Sequence, residues 1–100
     1  MQRLTIVLKH GFANDHAVVR VNGELVLDRE GLTTRTTVDR ATALDHDVPE
    51  GRVKVEIDIP TRGLKKSVEF DVRGRQSLVV HIGRGPEIDT QVVAGIAGDA

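Results

Sequence analysis

His10, Asp15, His16 and His46 are the residues of this chain with the clearest capacity for metal chemistry. Imidazole nitrogens and carboxylate oxygens form a workable ligand set for zinc and related divalent ions. His10 and His16 bracket a short loop that also holds Asp15, and His46 stands between Asp45 and Asp47. If the 11–16 loop and the 45–50 loop share one end of the fold, the three imidazoles converge. The spacing offers no His-x-x-x-His pair, and Asp and His are also ordinary turn and strand-end residues. A solvated-loop reading therefore stands beside the metal reading.

Nucleophilic chemistry has less to work with. Ser67 and Ser77 are the only serines, each beside an expected turn and without a glycine elbow, whereas a hydrolytic nucleophile needs an orienting base. The Thr33–Thr37 stretch reads as β-propensity, and Glu69 and Asp71 as a solvated strand face. Gly83-Arg84-Gly85 has no helix after it to offer amide donors to a phosphate. The expectation is a protein that is not an enzyme and carries no cofactor. With no cysteine, disulfides and thiol chemistry are excluded.

Charge narrows the partners. Lys and Arg number 14 against 15 Asp and Glu, a net charge of −1. The chief basic cluster, Arg62, Lys65 and Lys66 with Arg73 and Arg75, sits in turns at opposite ends of one strand. There are two Phe and no Tyr or Trp, so no aromatic platform accompanies these cations. Nucleic-acid binding is not expected. No run approaches the roughly 20 apolar residues of a membrane helix, and the first ten residues do not read as a signal peptide. The expectation is a soluble, cytoplasmic protein without membrane contacts.

The elements that must position these residues show period-two alternation. Leu4, Ile6 and Leu8 form one apolar face of a first strand. Ala17 to Val21 runs into Asn22-Gly23 and out through Glu24 to Asp28. Asn-Gly is the strongest short-range hairpin signal, since both central residues of a type I′ turn need positive φ. A two-residue turn pairs Val21 with Glu24 and Val19 with Val26. Both faces of this hairpin are apolar, so the inward face stays open. Thr33–Val38 reads as an edge or solvent-facing strand, and residues 39–50 as either a helical turn or a strand. Val53, Val55, Ile57 and Ile59 give the clearest strand, ended by Pro60. Val68, Phe70 and Val72 continue the alternation, and Leu78, Val80 and Ile82 close it. Matching the inward sets of these last two strands as a hairpin places Glu69 opposite His81.

Strands every 8–12 residues with Gly or Pro punctuation predict an all-β fold, a two-sheet antiparallel β-sandwich of about seven strands. Residues 1–83 form the sandwich, and 84–100 a C-terminal tail, loosely ordered or added as an edge strand. At Val19-Arg20-Val21-Asn22-Gly23, and at Val48-Pro49-Glu50-Gly51 followed by Val53-Lys54-Val55-Glu56-Ile57, the chain resembles PEGA-like and carboxypeptidase-regulatory-like domains, which are prealbumin-type (Ig-like) sandwiches. The strand after the Pro-x-Gly turn is purely aliphatic here, where such domains often carry an aromatic. The resemblance implies a non-catalytic module used for contacts, support or presentation.

Two functions follow as expectations. One is a structural or interaction module with a protein partner, itself included as a homo-oligomer, working through a sheet face, an edge or the tail. Val18, Leu25, Leu27, Val92, Val93 and Ile96 are its candidate contacts, because two-faced apolar strands imply cover on both faces. The other is a small metal-binding protein using His10, Asp15, His16 and His46.

Overall fold

The computed structural model describes residues 1–95. Each alternating segment becomes a strand: β1 (Gln2–Leu8), β2 (Asp15–Val21), β3 (Glu24–Leu32), β4 (Thr42–Val48), β5 (Gly51–Ile59), β6 (Leu64–Val72), β7 (Gln76–Gly83) and β8 (Glu87–Ala94). A single 3₁₀ turn, Pro60–Arg62, separates β5 from β6. Two four-stranded sheets result, ordered β4-β1-β7-β8 and β3-β2-β5-β6. The described strands thus number eight rather than about seven. The first sheet is mixed, because β1 runs parallel to β7 while its other pairings are antiparallel.

The inward residues of both sheets share one core. Leu4, Ile6 and Leu8 of β1, Val53 to Ile59 of β5 on alternate positions, and Leu78 and Val80 of β7 are almost wholly buried. Phe12 turns in from the 11–14 loop and is buried in the same cluster. The radius of gyration, 12.7 Å, is that of a close-packed chain of this length (about 13 Å). Thr5, Val7, Ser77 and Val79 lie on the outward parity of β1 and β7 and are buried too. Both strands are central in their sheet, flanked on each side.

Three expectations about local structure are corrected. The proposed β6–β7 hairpin does not exist. Glu69 pairs with Lys54 of β5, and His81 with Asp89 of β8. The chain crosses from one sheet to the other at residues 73–75, where the Arg73 backbone N–H donates to the Gln76 side chain (3.0 Å). Inward parity is the same for a hairpin within a sheet and for a corner between sheets, so alternation alone could not separate them.

The second correction concerns the β2–β3 register. Val21 faces Glu24 as expected, but Val19 faces Leu27 and not Val26, because a bulge intervenes between Val19 and Arg20. The extra residue settles the facing of the hairpin. Val19, Val21 and Leu27 turn inward and are buried, while Leu25 is left 51% exposed.

Third, residues 33–38 are not a strand. The Thr33 and Thr34 hydroxyls are used locally instead. Thr34 Oγ1 donates to the Lys9 carbonyl (2.7 Å) and accepts from the Phe12 N–H (3.1 Å), and Thr33 Oγ1 accepts from the Asn14 N–H (2.9 Å). Beyond them the chain turns tightly, with Val38 and Asp39 N–H groups donating to the Arg35 carbonyl. Residues 42–48 are β4, the strand alternative for that region. Residues 87–94 form β8 at the edge of the first sheet. Positions 96–100, including Ile96, lie outside the described residues.

Candidate functional site

Asp15 opens β2, and its side chain is 2% exposed as a residue. Its Oδ1 accepts from Thr61 Oγ1 (2.7 Å) and Arg62 Nε (3.0 Å), and its Oδ2 from the Ala13 N–H (2.8 Å) and Arg62 Nη2 (2.9 Å). Arg62 also donates to the Gly11 carbonyl (2.9 Å). Pro60 starts the 3₁₀ turn that brings Thr61 and Arg62 over the 11–15 loop. Burial by itself raises the Asp15 pKa, but hydrogen bonds from Arg62, Ala13 and Thr61 outweigh it and hold the carboxyl below its ordinary 3.8. Every acceptor position facing the protein is in use, so this carboxylate ties a loop to a turn and is not presented to a ligand.

The histidines are dispersed in the same way. His16 Nε2 lies 2.6 Å from Asp28 Oδ1 of β3, and His46 Nε2 lies 3.1 Å from Glu24 Oε2, also of β3. His10 Nδ1 lies 3.1 Å from Asp39 Oδ1 in the 35–40 turn. The structure thus does not bring His10, Asp15, His16 and His46 together: each is taken by a different partner. Among the described residues no group of three or more His, Cys, Asp or Glu could hold a metal ion. His10 instead meets His81, which the sequence did not suggest, with ring centroids 5.1 Å apart. Burial lowers the His81 pKa first, and His10 and then Lys9 add to it by charge, against the opposing pull of Asp89 and Asp39.

The candidate contact residues do not form one surface. Val18 and Leu25 are on the outward parity of the second sheet, where Arg20 faces both Leu25 and Glu56. Leu27 belongs to the core. Val92 and Val93 are neighbours on β8, with Val92 42% exposed.

The two lateral sides of the sandwich differ. On one side β3 and β4 are bridged by the Glu24–His46 pair and by Arg29 Nη1 donating to Thr42 Oγ1 (3.3 Å), and Val26 and Leu44 pack on the core there. On the other side β6 lies beside β8. Leu64, Val68 and Phe70 of β6 are only partly buried against the core. Lys66 occupies an inward position of this edge strand, opposite Ile57, a common device against indiscriminate edge pairing. Along the outward positions β6 reads Lys65, Ser67, Glu69, Asp71, basic at one end and acidic at the other. The residue types were in plain view in the sequence; their value depends on β6 being an edge, which only the topology gives.

No family model matches the chain, and no curated protein matches it. Among the described residues no helix is long and apolar enough to cross a membrane.

Proposed function

We propose that this chain is a non-catalytic, prealbumin-type interaction module whose partner is a second copy of itself, joined through the β6 edge. The charge order of β6 carries the reading. In an antiparallel pair centred on Val68, Lys65 of each copy faces Asp71 of the other, twice by symmetry. On the inward side Leu64 then faces Val72, Val68 faces itself, and Lys66 faces Phe70 with its aliphatic stem toward the ring, so this one register accommodates the inward lysine that opposes others. A parallel neighbour gains no such match and sets like charges side by side. Each opposite-charge cross-strand pair contributes only about 0.2–1 kcal/mol, so the charges select orientation while backbone bonds and the partly buried Val68 and Phe70 supply most of the contact.

The prealbumin-type part of the reading is supported by where its two motifs fall. Val19–Gly23 closes β2 into the β2–β3 hairpin, and Val48–Gly51 carries the chain from β4 in one sheet to β5 in the other. The first is a hairpin within one sheet and the second a corner between the two, both connections that a two-sheet sandwich uses.

Sedimentation equilibrium over a wide concentration range tests the association. A reversible dimer is expected, weakened by Lys65→Asp or Asp71→Lys alone and restored by the two together. A monomer at every concentration, or a dimer indifferent to all three changes, overturns the proposal.

A further inference from the structure

Asn22 and Gly23 form the tip of the β2–β3 hairpin, with φ of 50° and 82°. Asn followed by Gly is the pair most open to intramolecular cyclisation, because glycine leaves its own amide nitrogen unhindered. At this tip there is space as well: a Cβ placed on Gly23 meets nothing within 4 Å. Two hydrogen bonds nonetheless fix Asn22 from the neighbouring strand. Its N–H donates to the Lys54 carbonyl (2.8 Å), and its side-chain Oδ1 accepts from the Lys54 N–H (3.0 Å). The carboxamide thus extends the β2–β5 ladder by one rung beyond the Val21–Val55 pair.

We propose that Asn22 is a site of spontaneous deamidation that the native fold holds closed, and that Lys54 is the clamp. In the reaction the Gly23 nitrogen loses its proton and attacks Asn22 Cγ. The new N–Cγ bond forms, the Cγ–Nδ2 bond breaks, and ammonia leaves. Water then opens the five-membered imide at one of its two carbonyls. Opening at the side-chain carbonyl gives aspartate; opening at the main-chain carbonyl gives isoaspartate. Only water is consumed, and no oxidant or cofactor is needed. Cyclisation requires Cγ to swing toward the Gly23 nitrogen, which the two Lys54 bonds oppose. The reaction must therefore wait for the hairpin tip to lift from β5, a local opening whose population sets the rate.

The two products differ in consequence. Aspartate keeps an oxygen where Oδ1 was, so the rung to Lys54 survives with one added negative charge. Isoaspartate inserts a methylene into the main chain at a two-residue turn, so the turn lengthens and the Val21–Glu24 pairing loses its register. The hairpin then cannot close onto β5 in its original form.

The test compares the intact protein with a synthetic peptide covering residues 17–28, both held in mildly alkaline buffer and mapped by mass spectrometry and isoaspartate detection. The peptide lacks Lys54 and is expected to react at least about tenfold faster, the ratio that a modest local opening free energy imposes. Adding urea to the intact protein, below its unfolding transition, is expected to raise the rate at Asn22 progressively. Lys54→Pro, which removes the donating N–H, is expected to bring the rate toward the peptide's. If that variant does not fold, the urea series on the unaltered protein decides. Equal rates in peptide and folded protein, or a rate in the folded protein that urea leaves unchanged, overturn the proposal.

Discussion

The imidazole of His10 lies nearly flat on that of His81, the ring planes 11° from parallel. His10 follows β1 and His81 is within β7, so the stack bridges the two central strands of the first sheet at one end of the sandwich. The His10 carbonyl also accepts from the Ile82 N–H (2.9 Å). Two imidazoles so placed repel when both are protonated, and Lys9 adds to the repulsion.

Stability should therefore fall on mild acidification. Burial, His10 and Lys9 hold the folded His81 pKa below its ordinary 6.5. The unfolded chain then binds more protons than the folded one, and stability rises with pH in that window. The full contribution is present above about pH 6.5 and is lost as the pH falls through the folded value. Urea midpoints measured through this range should decline toward acid, and His81→Gln should flatten the decline. A slope that survives the substitution would show that other groups carry it.

The Asp15–Arg62 pair predicts a second, more acidic transition. Its carboxyl is held below 3.8, so it contributes stability above that value and loses it as the pH falls through the depressed folded pKa. Arg62→Ala leaves a buried carboxylate without its main partner and should cost about 3 kcal/mol at neutral pH. Asp15→Asn should cost less, since its one oxygen still accepts from Thr61 or from Ala13, and the partly exposed Arg62 can turn to water. Chemical denaturation of both variants ranks them.

Gly11 and Gly23 both have positive φ but should respond differently to alanine. A Cβ on Gly11 would stand 2.2 Å from the Ile82 carbonyl oxygen, which the β-structure holds in place. Gly11→Ala should lose about 4 kcal/mol or more, or fail to fold. Gly23→Ala meets no atom and bears only the left-handed conformation, about 1–2 kcal/mol. Thermal melts of the two proteins should be well separated.

Phe12 is one of two aromatic residues and is 3% exposed. Phe12→Ala should cost about 3–5 kcal/mol through the cavity left where the 11–14 loop enters the core. Phe70, partly buried at the β6 edge, should cost less when truncated, and its loss should weaken self-association as well as stability. Comparing the two variants by melting and by sedimentation separates core packing from contact.

Strand identity was written most plainly where one face is apolar and the other charged. β5 and β6 show this, with Val53 to Ile59 and Val68 to Val72 inward; β1 and β7 keep the inward alternation of Leu4 to Leu8 and Leu78 to Ile82 but carry Val7 and Val79 on the other face. Partner choice was not written there. Val72 and Leu78 point into one core whether β6 and β7 share a sheet or face each other across it, so alternation fits a hairpin and an inter-sheet corner equally well. The Thr33–Val38 stretch is ambiguous for another reason. Threonine hydroxyls serve a strand or a loop equally well, and here Thr33 and Thr34 satisfy backbone groups of residues 9–14. The histidines have metal-ligand chemistry, but each pairs with a carboxylate of another element: His16 with Asp28 of the neighbouring strand, His46 with Glu24 of the other sheet, and His10 with Asp39 of the 35–40 turn. His10 with His81 and Arg62 with Asp15 join residues far apart in the chain, and such pairings follow only from the topology.

The parallel contact of β1 with β7 sets Leu4 opposite Gln76 and Leu8 opposite Val80. Residues made early in this domain thus wait, with one strand edge unsatisfied, until β7 has been made. Closure of that sheet is a late event with a large entropic barrier, which places this small domain among slow folders, on the millisecond-to-second scale typical of sandwiches. In that interval the apolar Ile6-Val7-Leu8 stretch lacks its β7 partner and is an aggregation-prone edge.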